Sequence, residues 1–263
     1  MERIAIKSLN YGDSGSGKTH LASTYPKSYF LFTEPDSHWT FQMKPELRKN
    51  VVHYEYFLPD PQDEERTLKA VYNPIIANST LVKEINKAKE MHAKGEVDTL
   101  VLDNLTYLSR NKWLHITKFE QQFSKQGNLN TEAMYGTLGN WLYELFQMYV
   151  MTFKGNLVVN AHLLKEGEEA MEKKMDKTIE YEADVLGGFR QRVKGLFSNF
   201  FCLEKMVDNT GKARYFARTD KGAGKFAKNR FNLPTIIENP SYQTIEKAIN
   251  EAMGNAMTKE VIK

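Results

Sequence analysis

Apolar residues along this chain come in short runs of strand length, separated by longer stretches in which they recur with the helical repeat. Arg3 to Asn10, with Ile4 and Ile6 alternating, reads as a strand, and Lys18 to Tyr25 as a helix that Pro26 stops. Ser28 to Thr33 is an apolar run of buried-strand length, and Val51 to Phe57 alternates as a further strand. The stretch holding Pro59, Pro61 and Pro74 with acids between them reads as a loop or irregular excursion. Leu81 to Ala93 has helical spacing and stops at Gly95; Thr99 to Leu102 is a β-rich run that ends in Asp103. Helical segments follow at about Leu105 to Phe123 and Thr131 to Thr152, divided by the polar Ser124 to Asn130. Leu157 to Ala161 is another buried strand, and Lys165 to Asp184 is too hydrophilic to pack a core and reads as a mobile loop.

After Gly187-Gly188 the pattern predicts a short basic helix, then strands Asn199 to Met206 and Lys212 to Arg218 about the turn Asp208-Asn209-Thr210-Gly211. Pro240 to Met253 reads as a last helix, with Asn239 as cap and Pro240 at its first position. Strands alternating with helices and then a hairpin predict a single α/β domain over residues 1–263. Its mostly parallel sheet is flanked by helices over a core of about 3–162, and a basic hairpin and helix region follows at about 186–253.

The first strand leads directly into Gly12-Asp13-Ser14-Gly15-Ser16-Gly17-Lys18-Thr19, the pattern G-x-x-x-x-G-K-T between a strand and a helix. The glycines let successive backbone N–H groups turn inward onto phosphate oxygens, and Lys18 supplies positive charge to the β- and γ-phosphates. Thr19 offers a hydroxyl to Mg²⁺, and the helix that follows aims its positive end at the anion. Asp103, where a buried strand meets solvent, is the expected second Mg²⁺ ligand; it also stands where an aspartate would cap the next helix. Hydrolysis needs a group to activate water, and Glu34, directly after Tyr29 to Thr33, is the candidate, with Asp36 close behind. Asn160 and His162 lie at the tip of the Leu157 to Ala161 strand, His162 the better placed to report the γ-phosphate.

Composition refines this picture at two points. The net charge of +3 conceals a division: from Leu186 to Asn232 there are 11 Lys and Arg against 3 Asp and Glu, on an otherwise acidic body. That balance points to a polyanion partner, or to a solvated lysine face. The one cysteine, Cys202, sits in an apolar run, which excludes an internal disulfide or thiolate metal cluster and predicts a buried thiol in a reducing cytoplasm. No run is long enough to span a bilayer, so no membrane partner is expected.

Gly12–Thr19, Phe32-Thr33-Glu34, Leu100–Asp103 and Val158–His162, in this order, resemble the RecA-core P-loop proteins encoded by bacteriophages. These are nucleotide-binding or AAA-type proteins, some of which act as single-strand annealing recombinases. Gly187-Gly188-Phe189-Arg190, Arg218-Thr219-Asp220 and Lys228-Asn229-Arg230-Phe231 are similar to that family's closing pattern, so the likeness runs from Ile4 to about Ile249. The resemblance implies a RecA-like fold, ATP and Mg²⁺ as ligands, and ATP hydrolysis with Glu34 as the displaced catalytic glutamate. It also implies single-stranded DNA and a single-strand-binding protein as partners, in the cytoplasm of a bacterial host. Lys228 and Arg230 resemble the fingers that RecA-like rings insert into a neighbour's nucleotide site, which implies a homo-oligomer. DNA-binding loops are then expected near Ser124–Asn130 and Lys165–Asp184, with Arg190, Arg192 and Lys194 as phosphate contacts; Phe189 and Tyr215 are the candidate base-stacking aromatics, with a place in the core as the favoured reading.

Two other classes remain open at this stage. A nucleotide kinase needs an arginine-bearing lid, and Lys165–Asp184 contains no arginine. A nucleotide-gated adaptor for helicase loading or packaging would bind ATP without turnover. A GTPase is disfavoured because Asn111-Lys112 lacks the aspartate that reads guanine.

Overall fold

The computed structural model describes residues 4–35, 37, 39–60, 62–164 and 181–261. Asp36 and most of the expected loop from Lys165, residues 165–180, lie outside the described residues. In chain order the elements are β1 (Lys7–Gly12), α1 (Lys18–Ser23), β2 (Ser28–Phe32), α2 (Trp39–Met43), β3 (Val51–Tyr56), α3 (Glu64–Val71), α4 (Thr80–Ala93) and β4 (Thr99–Asp103). Then come α5 (Leu105–Phe119), α6 (Thr131–Glu144) with a π-helical continuation Leu145–Val150, β5 (Asn156–Leu164) and β6 (Glu182–Ala183). The chain ends with α7 (Phe189–Leu196), β7 (Asn199–Val207), β8 (Ala213–Arg218), β9 (Ile236–Glu238) and α8 (Tyr242–Val261).

The strands form one sheet in the order β3-β2-β4-β5-β1-β7-β8-β9, with β6 paired to the end of β5. Pairing is parallel from β3 through β7 and antiparallel across β7-β8-β9. β2 and β4 are buried along their whole length, which is why they read as unbroken apolar runs: each carries helices on both faces. On one face Leu9, Tyr29, Leu100, Leu102, Leu157 and Val159 pack with residues of α4, α5 and α6. On the other, Phe30, Phe32, Val101, Val158 and Phe201 pack with Leu21 and Ala22 of α1 and with Tyr242, Ile245 and Ile249 of α8. The insertion of β5 between β1 and β4 is the strand order of a RecA-like P-loop NTPase.

Several expectations are corrected. The first strand starts at Lys7, although Ile6 is buried and its carbonyl still accepts the Leu157 N–H at 2.9 Å. The excursion after Pro59 contains α3, whose buried Leu68 and Val71 supply an apolar face one turn long. A third antiparallel strand, β9, follows the hairpin. The last helix is capped by Ser241, whose Oγ accepts from the Thr244 N–H at 3.2 Å while Thr244 Oγ1 accepts from Ser241 N–H at 2.8 Å. Asn239 stands outside that cap, at φ 47°.

α5 ends at Phe119 because Glu120 folds back on its own helix, meeting Lys112 Nζ at 2.6 Å and His115 Nδ1 at 2.7 Å. Lys112 is fully buried, its ammonium also donating to Tyr72 O at 3.0 Å and lying over the Trp141 ring. Removing one partner of a buried ion pair strands the other in low dielectric. Lys112→Ala is therefore expected to destabilise the fold by about 3–5 kcal/mol, read as a lowered urea midpoint with unchanged slope.

Candidate functional site

The P-loop is shaped by close contacts that side chains would forbid. A Cβ at Gly12 would sit 2.3 Å from Leu203 O and 2.6 Å from Ser16 Oγ, so the strand can turn into the loop only with glycine there. Gly17, at φ 93°, occupies the left-handed region just before α1, and no side chain caps that helix. Ser16 N–H turns back to Asp13 O at 3.1 Å. Lys18 Nζ donates to Gly12 O and Asp13 O, both at 2.9 Å, placing the ammonium inside the loop. Thr19 Oγ1 donates to Asp103 Oδ2 at 2.7 Å, across 84 positions of sequence.

Next to this pair the ends of β2, β4 and β5 meet. Thr33 N–H donates to Asp103 O at 2.8 Å, and Thr33 Oγ1 accepts from Asn104 N–H at 3.0 Å, locking the ends of β2 and β4 together. The Asp103–Asn104 peptide is cis. Asn104 Oδ1 caps α5 by accepting from Tyr107 N–H at 3.0 Å, and its Nδ2 donates to Glu34 Oε2. His162 Nε2 lies 3.0 Å from Glu34 Oε1 and 3.2 Å from Asn104 Nδ2. The helix cap expected of Asp103 thus belongs to Asn104, because the Asp103 carboxylate is turned toward Thr19 on the α1 side.

Burial dominates the electrostatics. It pushes the Asp103 carboxyl above the usual carboxylate range; the Thr19 hydroxyl opposes that, and the Glu34 charge adds to it. Burial likewise lowers Lys18, opposed by the charges of Asp103, Glu34 and Asp13. A desolvated carboxylate beside a threonine hydroxyl suits a hard cation with oxygen ligands, so Thr19 and Asp103 fit Mg²⁺. Ser16 Oγ is buried without a hydrogen-bond partner among the described residues, as expected of a group that meets a phosphate oxygen or the cation's water shell. The loop, Glu34 and His162 all line one cleft of about 520 Å³.

The AAA domain family matches residues 4–231. The chain belongs to the AAA domain family. A search of curated proteins finds no match for it. Among solved structures, the flagellar accessory protein FlaH of Methanocaldococcus jannaschii is similar at 11% identity over 89% of each chain, with a TM-score of 0.38. A KaiC-like protein of Pyrococcus horikoshii is similar at 12% identity over 89% of each chain, TM-score 0.41. An ATPase of the type III secretion system of pathogenic bacteria is similar at 13% identity over 76% of this chain and 51% of that one, TM-score 0.41.

Several basic residues of this AAA domain form ion pairs or hydrogen bonds within the chain. Glu182 holds Lys194 at 2.5 Å and Arg190 at 3.6 Å, so two of the three expected phosphate contacts are engaged within the fold. Arg192 stays exposed, its guanidinium over the Tyr143 ring. Lys228 Nζ donates to Lys194 O inside its own chain, whereas Arg230 is exposed. Phe189 is buried core as expected, and burial pushes the Cys202 thiol up to about 11, away from reactivity. Tyr215, expected in the core, instead lines the cleft together with Asn239, Pro240 and Ser241.

Sequence reasoning also missed Asn104 and Thr33. The signal for Asn104 was present: it is a good capping residue directly before a helix, one place after a strand-end aspartate. Asn160 faces Asp103 across the β4–β5 pair and Asn10 across β1–β5, forming a buried polar row beneath the loop. No described helix is long and apolar enough to cross a membrane.

Proposed function

We propose that this protein is a Mg²⁺-dependent ATP hydrolase of RecA type that works on single-stranded DNA in phage recombination, annealing or replication. The observation that carries hydrolysis is the Glu34 carboxylate, which enters the P-loop cleft beside the Thr19–Asp103 pair. Lys18 and the loop N–H groups hold the β- and γ-phosphates, and Mg²⁺ held by Thr19 and Asp103 would neutralise charge on their oxygens. Glu34 takes a proton from water as the water oxygen bonds to the γ-phosphorus and the bridge to the β-phosphate breaks, leaving ADP and phosphate. The contact of His162 with Glu34 supports a role for it in sensing loss of the γ-phosphate.

The DNA partner is supported by the basic balance of residues 186–232 and by exposed Arg192. Assembly is supported by the exposure of Arg230, the residue of its pair that would enter a neighbour's nucleotide site. A single-strand-binding protein is the companion this activity would need. ATPase assays at low salt with and without single-stranded DNA, with electron microscopy of the same samples, test the whole reading. Several-fold stimulation and ordered assemblies on DNA are the expected results. No stimulation at low salt would remove DNA from the proposal. ATP binding without turnover would favour a nucleotide-gated adaptor.

A further inference from the structure

The cleft extends past the phosphate cradle to a wall built by the C-terminal third of the chain, from Tyr215 on β8 and from Asn239, Pro240 and Ser241. Its volume of about 520 Å³ lies in the range of sites that enclose a whole small molecule rather than a phosphate chain alone. The Tyr215 ring lies against the P-loop: a Cβ at Gly17 would stand 3.2 Å from Cδ1 and 3.6 Å from Cε1. Asn239 N–H donates to Tyr215 O at 2.7 Å, extending the β8–β9 ladder by one bond and tying the ring's backbone to the rest of this wall. At Asn239 the chain turns, with φ 47°, so that Pro240 is buried and Ser241 can cap α8. The wall is thus one rigid unit with a half-buried aromatic ring, an exposed amide side chain and a proline.

We propose that this wall is the base subsite of the nucleotide, with Tyr215 as the stacking platform for a purine and Asn239 as the polar group at its edge. This rests on the P-loop cleft being a nucleoside triphosphate site. A tyrosine ring offers a large flat apolar surface with little rotamer freedom to lose, and here it lies beside Gly17 of the phosphate loop. A bulkier residue at Gly17 would displace the ring as well as strain the loop. A tyrosine that only covered the loop would support every phosphate ligand equally.

The test measures equilibrium binding of Mg·ATP and of magnesium tripolyphosphate to the full chain and to its Tyr215→Ala and Tyr215→Phe variants. Tyr215→Ala is expected to weaken ATP by roughly tenfold or more and tripolyphosphate by less than about twofold. Tyr215→Phe, which keeps the ring, is expected to retain both. Equal weakening of the two ligands in Tyr215→Ala would overturn the proposal in favour of a support for the loop, and an unchanged ATP affinity would overturn it outright. Tripolyphosphate binding also certifies that the variant is folded. If the unaltered protein binds neither ligand, the P-loop reading itself fails and the base subsite falls with it; if it binds both alike, only the base subsite falls.

Discussion

Glu34→Gln is expected to lower ATP turnover by about a hundredfold to ten-thousandfold while leaving ATP affinity nearly unchanged. Glutamine keeps the size of the side chain and can still meet Asn104 and His162, but it cannot take a proton from water. The Thr19–Asp103 pair and the Lys18 contacts with Gly12 and Asp13 do not involve Glu34, so the cradle should hold its shape. Single-turnover hydrolysis and equilibrium binding on the same preparation separate the two effects. A variant that turns over ATP at more than about a tenth of the normal rate would exclude Glu34 as the base. Equal losses of affinity and rate would instead mean that Glu34 supports the loop, because a group acting only in the transition state changes rate and not binding.

Lys18→Ala is expected to have a still larger effect, removing turnover by about a thousandfold or more together with most of the affinity for ATP. The ammonium is the positive group that faces Asp103, Glu34 and Asp13 within the loop's own surroundings. Without it a triphosphate would meet the carboxylates of Asp103, Glu34 and Asp13 with no ammonium between, in a partly dry environment where repulsion is poorly screened. Lys18→Arg should not rescue, because a planar guanidinium cannot occupy the position where one nitrogen donates to two loop carbonyls at 2.9 Å. ATP binding by calorimetry and phosphate release report the two losses. Thermal unfolding checks that the variant is folded. ATP affinity within about threefold of normal would contradict the assignment of Lys18 to the phosphates.

The parts of the fold that were legible beforehand are those whose cause is local. β2 and β4 read as strands because both their faces are covered, and α4 and the β7–β8 hairpin carry their own stop signals in Gly95 and the Asp208 to Gly211 turn. Where a tertiary contact sets the boundary, the local pattern does not mark it. The pattern predicts α5 to Phe123, and nothing in it announces that Glu120 returns to Lys112 and His115. The prolines and acids around Pro59 to Pro74 mask the apolar face of few residues that makes α3 a helix. Residue type alone predicts Asn239 as a cap, whereas Ser241 and Thr244 satisfy the helix start between them.

By itself the sequence determined the phosphate loop of this protein, since Gly12 to Thr19 is contiguous and its chemistry follows from residue types at fixed spacing. It also determined that a carboxylate, Asp103, would stand at the end of a buried strand. Only the tertiary structure decided what stands around them. Glu34 and Asn104 are 70 positions apart, and Asn104 and His162 are 58, yet they meet because β4 lies between β2 and β5. Strand order depends on long-range pairing, which no local period encodes. The same holds for Tyr215: its alternation along β8 placed it on one face, but only the pairing of β7 beside β1 turned that face toward Gly17 and the nucleotide cleft.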